Sequence, residues 1–256
     1  MSARDEVELP DILINRLAIT LALTVSTMAT LLWLAMPAAG SLVEQVRAVE
    51  RAPGLYPVAF ASVAAADLLT IALLVVLVRR VAAPESIAPR NVSLTPYRRR
   101  SRLEVGLALA SLPFLLGASI SQILLATVFE RPQADVEWYV FAEDSWAVLV
   151  DFVGYGLFGF AASLAGWRMR RRPGWGPVGW TLLVAGLAYV LGLVGHVADF
   201  VYLERGTLLG RVLVLPFALA VRRAIFEARA RARRFGRPHL ASMRGRGVSA
   251  RPPRPG

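Results

Sequence analysis

The sequence contains no cysteine and no lysine, and only two histidines. Without cysteine there are no disulfides, thiolate metal sites or thiol nucleophiles. One histidine, His196, lies among the apolar runs and the other, His239, in the C-terminal tail, so bis-histidine haem ligation within the apolar region is excluded. No HExxH sequence, Ser/His pair or sizeable polar domain is present, which argues against an enzyme. All of the basic residues are arginine. That pattern reads as a high-GC coding bias and points to a bacterial inner membrane as the home of the chain. No internal repeat is found, so an inverted-repeat transporter design gains no support.

What the sequence has in abundance is apolar length. Hydrophobic residues make up 56% of the 256 positions, and the mean hydropathy is +0.53, well above a soluble domain. A hydrocarbon core of about 30 Å needs about 20 apolar residues of helix. Six stretches approach that length: about 17–36, 55–78, 105–129, 145–167, 177–198 and 206–221. The fold class expected is therefore all-α, a polytopic membrane helical bundle with six transmembrane helices over residues 1–221. A basic cytoplasmic tail, 222–256, should be partly helical over RRAIFEARARARRF and then disordered through its Gly/Pro/Arg-rich remainder.

The central pair of runs, Asp151–Asp199, reads as a hairpin around the connector RMRRRPGW. Arginine alternates along the chain in step with the spans. The 79–104 loop holds seven arginines against two acids, the 168–176 turn four against none, and the tail eleven against one. The segments between hold few: 37–54 and 199–211 are balanced, while 130–151 has one arginine against six acids. The positive-inside rule then puts the N-terminus and the C-terminus in the cytoplasm. The N-terminal segment is acidic (Asp5, Glu6, Glu8, Asp11), unlike a signal peptide. Trp138, Tyr139 and Trp146 look like an interfacial aromatic belt. The lipid bilayer, with anionic headgroups at the basic tail and loops, is the expected partner, together with a membrane-protein partner. No nucleic acid is expected, because the tail lacks interleaved aromatics.

Three sets of residues invite a functional reading, and none is assigned as catalytic or cofactor-binding. Gly154-Tyr155-Gly156-Leu157-Phe158-Gly159 matches GxGxxG in letters only. Inside a membrane helix these glycines, with Ser163 and Gly166, serve close helix approach rather than a dinucleotide. Asp67 is the one ionisable residue near the middle of a span, and a charge there costs at least about 3 kcal/mol on insertion scales. It should face the bundle interior. Partners at similar depth are Thr24 and Thr27, on the Thr20/Thr24/Thr27 stripe of span one, and Ser119 and Gln122 on span three. A structural hydrogen bond and a proton or cation pathway both remain open for it.

The third set is an outer cluster. Asp144 and Asp151 are seven residues apart, hence on one helical face, and His196 and Asp199 are three apart on the next span. The tight hairpin should bring Asp151 to His196, with Arg211 as third member. A salt-bridged rim, a metal site and a proton shuttle all fit that composition.

The phrase RPGWGPVGW followed by LLVAGLAYVL, with the fifth span opening at Pro177 and running through Tyr189, resembles an uncharacterised family of six-span bacterial integral membrane proteins, a domain of unknown function. The resemblance implies six spans and nothing about activity. No site residues carry over from it. The function expected is that of a non-enzymatic membrane component, with a small-solute, proton or cation transporter using Asp67 as the alternative. A membrane-embedded enzyme or metal site at the outer cluster is the third reading.

Overall fold

A computed structural model of the chain describes residues 3–35, 54–82, 95–128 and 146–235. They form helices α1 (Ala3–Ala35), α2 (Leu55–Ala82), α3 (Thr95–Val128), α4 (Trp146–Met169), α5 (Gly176–Val197), the single turn α6 (Val201–Glu204) and α7 (Gly206–Phe235). Among the described residues there is no strand. Five segments are long and apolar enough to cross a membrane: Asp11–Ala35, Leu55–Val81, Ser101–Leu124, Trp146–Met169 and Gly176–Val197. The chain thus has the build of a multi-pass membrane protein. α7 stands outside that set, because Arg211 interrupts its apolar run near one end and Arg222-Arg223 close it at the other.

The long helices pack in chain order, each against the next, and α7 lies against both α5 and α1, which closes a ring. Inside it sit Leu21, Leu73, Leu77, Leu115, Leu182 and Phe217, all fully or almost fully buried. The outward faces carry exposed Leu23, Trp33, Leu109, Phe160, Leu187 and Leu219, an apolar exterior that suits lipid contact. Pro113 and Pro216 both lie within helices and on exposed positions. Neighbouring helices and local adjustment let a membrane helix tolerate the lost N–H.

Three helix boundaries differ from the apolar runs of the sequence. α1 begins at Ala3 and α3 at Thr95, each well before the span it contains. α7 runs unbroken through Phe235, so the basic stretch after Val221 is helical, as expected, and continuous with the apolar run before it. Its Ala, Arg and Glu residues are strong helix formers, and no glycine or proline intervenes between Pro216 and Gly236. The expected outer loops 37–54, but for Gly54, and 130–144, and the tail beyond Phe235, lie outside the described residues.

Two features fix the α4–α5 hairpin. At the turn, Gly174 takes φ +81°, a left-handed conformation open to glycine. Along the helices, small residues let the backbones touch. A Cβ on Gly186 would lie 2.6 Å from the Gly159 carbonyl oxygen, and one on Gly166 would lie 2.7 Å from that of Gly179. Gly154 instead faces Leu115 of α3, and Gly156 faces Leu193 of α5. The small-residue face expected on span four therefore serves two neighbours.

Ion pairs hold the arginine-rich end of the bundle. Arg80 of α2 meets Asp11 of α1 at 3.3 Å, and Arg168 of α4 pairs with Glu104 of α3, whose side chain is buried. The Arg170 guanidinium stands 3.4 Å from the Trp167 ring centroid and 5.0 Å from that of Trp180, which ties α4 to α5 by cation–π attraction.

The close approach of α4 and α5 makes a direct prediction. Gly186→Leu should lower stability by about 1–3 kcal/mol or more, since backbone atoms cannot move aside as a flexible side chain would. Gly117→Leu, where a Cβ meets nothing within 4 Å, should be neutral. Thermal unfolding of the two variants in the same detergent checks this, and equal losses would refute the packing account.

Candidate functional site

Four helices bring polar groups to one place inside the ring. α4 contributes Asp151 and Tyr155, four residues apart and so on one face. α2 contributes Asp67, α5 contributes Tyr189 and α7 contributes Arg211. Asp151, Tyr155 and Tyr189 are buried, while Asp67 and Arg211 are half-buried.

Arg211 is the hub. Its Nη2 donates to Asp151 Oδ2 at 3.0 Å, and its guanidinium carbon lies 4.6 Å from the Tyr155 ring centroid. The same ring stacks on Tyr189 at 4.8 Å between centroids and 10° between planes. At the far end of Tyr155, the hydroxyl oxygen stands 3.0 Å from Asp67 Oδ1 and 3.1 Å from Oδ2. Tyr155 thus connects the carboxyl of α2 to the cation of α7. Gly210 makes the depth of Arg211 possible: a Cβ there would lie 2.7 Å from the Tyr189 ring, so only glycine lets the α7 backbone settle onto it.

The set holds two carboxyl groups and one guanidinium. In a low-dielectric interior, unmatched charge is costly and is neutralised by pairing or by protons. Arg211 and Asp151 satisfy each other. Asp67 has a hydroxyl as its hydrogen-bonding partner, and the Arg211 Nε is buried without a hydrogen-bond acceptor. The chemistry available is proton holding, hydrogen bonding and cation attraction.

The structure rearranges the expected partnerships. Asp67 does face protein and is hydrogen-bonded, but to Tyr155, which the sequence reading did not include. Thr24 and Thr27 donate to the carbonyls of Thr20 and Leu23 on their own helix, at 2.9 and 3.0 Å, and Thr20 and Thr27 are exposed on the outer face of α1. Ser119 is buried on α3. Gln122 Oε1 accepts from the Tyr56 hydroxyl at 2.8 Å, so it joins α3 to the first turn of α2 rather than to Asp67.

The outer cluster also divides. Arg211 takes Asp151 as expected, but His196 turns elsewhere: its Nδ1 is 2.8 Å from Glu204 Oε1 of α6. Its ring stacks on Phe152 at 4.4 Å and 4°. Successive residues on a helix point roughly 100° apart. Phe152 therefore presents to α5, while Asp151, one residue earlier, turns toward α7. Asp199 lies exposed in the turn after α5 with φ 52°, and Asp144 falls outside the described residues. Among the described residues no three His, Asp or Glu side chains converge as a metal site would require.

Tyr155, Tyr189, Glu204 and Glu104 are the site and clamp residues that sequence reasoning passed over. A signal existed for Tyr155: a phenol four residues after an intramembrane acid presents a polar tip on the same face.

The Arg211–Asp151 pair yields a double-mutant prediction. Asp151→Leu alone should be destabilising, by no more than about 3–5 kcal/mol, because it takes the paired carboxylate from a half-buried guanidinium. Asp151→Leu combined with Arg211→Met should cost clearly less than the single change. Unfolding midpoints of both variants decide it, and a double variant no better than the single would show that the pair is not the contact that matters.

Comparison with known proteins finds no relative: no family model, no curated protein and no solved structure matches the chain.

Proposed function

We propose that this chain is a six-span integral protein of the bacterial plasma membrane, with both ends in the cytoplasm, serving as a non-enzymatic membrane component. The observation that carries this reading is the position of α7. It packs between α5 and α1, with Arg211 matched by Asp151. A sixth helix in that place makes the number of crossings even. On a six-span reading the arginine-rich segments 79–104, 168–176 and 222–256 share one side of the bilayer, where anionic headgroups favour them at about 1 kcal/mol per arginine.

Work inside the bilayer suits a component that acts through its helices. Asp11–Arg80, Glu104–Arg168 and Asp151–Arg211 pair from helix to helix, and the outer faces carry many exposed apolar side chains. A second reading, a proton or cation carrier, is favoured by one observation: two carboxyl groups share a single guanidinium at the centre. An enzyme or metal site at Asp151, His196 and Asp199 has no such support, since Arg211 engages the first and Glu204 the second.

Topology is the test. Reporter domains active only outside the cytoplasm should work when fused after Glu50, Trp138 or Glu204 and stay silent after Val92, Pro173 or Leu240. A signal from the fusion at Pro173 would overturn the orientation of the central hairpin. Loss of alternation between Glu204 and Leu240 would remove α7 from the set of spans.

A further inference from the structure

We propose that Asp67 is a single-proton binding site inside the membrane, closed by the Tyr155 hydroxyl and sensed by Arg211. The inference rests on reading α2, α4 and α7 as spans and goes beyond it.

The first support is a hydrogen count. The Tyr155 oxygen is at hydrogen-bonding distance from both Asp67 oxygens, 3.0 and 3.1 Å. A phenol owns one hydrogen and can donate it fully to one acceptor. Two good bonds between these three oxygens need a second hydrogen, and a carboxylic acid supplies it. One Asp67 oxygen then donates to the Tyr155 oxygen, while the other accepts the phenol hydrogen. An ionised Asp67 would leave one of its oxygens with only a shared half of that hydrogen.

Charge gives the second support. The groups facing Asp67 are Tyr155 and Asp151 from α4 and Arg211 from α7, with Tyr189 of α5 behind the Tyr155 ring. On α3, the buried Glu104 pairs with Arg168 at the arginine-rich end, and on α1 Asp11 pairs with Arg80 at that same end. One cation therefore serves two carboxyl groups, and it is bonded to Asp151 at 3.0 Å. If both acids were ionised the set would carry a net negative charge in a low-dielectric setting, which one proton removes. Asp67, with a neutral partner, is the group to take it.

The third support is the unused donor. The Arg211 Nε is buried and has no hydrogen-bond acceptor, while its guanidinium already lies over the Tyr155 ring. When Asp67 releases its proton, Arg211 becomes the nearest compensating charge. α7 is then drawn by two carboxylates, on α2 and α4, where before it was held by one. The proton state of α2 is thereby felt in the position of the helix that closes the ring.

Infrared spectroscopy of the full chain in lipid nanodiscs tests this. Near neutral pH the wild type should show one protonated-carboxyl C=O band that shifts in D2O. The band should vanish in Asp67→Asn and move to higher frequency in Tyr155→Phe as its hydrogen bond is lost. Asp67→Asn mimics the neutral acid and should keep the wild-type melting temperature. If that variant fails to accumulate, the Tyr155→Phe shift alone decides. Absence of the band near neutral pH, its survival in Asp67→Asn, or no shift in Tyr155→Phe would each overturn the proposal. Loss of the band on adding sodium or potassium at fixed pH would also overturn it, in favour of a cation site. Reporter topology can fail while the band remains, and the band can be absent from a correct topology, so the two readings fail separately.

Discussion

A guanidinium cannot sit alone among apolar helices. The cost of taking an arginine out of water is several kcal/mol even after relaxation, and Coulomb attraction recovers it only where a carboxylate stands within bonding distance. Arg211 meets that condition through Asp151, and much else follows from the contact. It sets how far α7 enters the bundle, and which face α7 turns inward. α7 in turn is the helix that joins α5 to α1. Tyr155 is held between the same guanidinium and Asp67, so the pairing on one side of the ring also fixes a group on the other.

The charged contacts would be out of reach if the backbones did not come close. Glycines do this at two interfaces. Gly159, Gly166, Gly179 and Gly186 bring α4 against α5, and Gly192, Gly206 and Gly210 bring α7 against α5. In lipid, where apolar surface gains little from leaving its surroundings, such van der Waals contact is a main source of helix association. The ion pairs Asp11–Arg80 and Glu104–Arg168 then act near one end, while Arg211–Asp151 acts within. Packing supplies adhesion and the charges supply register.

Asp67 shows how far the sequence could be read. Its depth was legible, because a lone acid in the middle of an apolar run has nowhere to go but inward. Its partner was not. Thr24, Thr27, Ser119 and Gln122 lie at plausible depth, yet the threonines bond within α1 and Gln122 bonds Tyr56. Depth is one coordinate of a helix, and rotation about its axis is another. A repeat of 3.6 residues fixes relative rotation within a helix and leaves the absolute rotation to its neighbours. The same gap explains the outer cluster: Asp151 and His196 share a level, but one faces α7 and the other faces Phe152 and Glu204.

The sequence by itself determined that the chain is helical, that its helices are apolar enough to lie in a membrane, where the hairpin turns, and that Asp67 must be sheltered. Those conclusions follow from solvent: apolar length, charge at depth and arginine counts are properties of each segment alone. Tertiary structure decided which segment meets which. It closed the ring by setting α7 against both α5 and α1, and it chose Tyr155 over the hydroxyls of α1. It also continued α7 past the end of its apolar run. These outcomes depend on complementary surfaces between distant segments, where a glycine opposite a carbonyl or a carboxylate opposite a guanidinium has meaning only once both helices are in place.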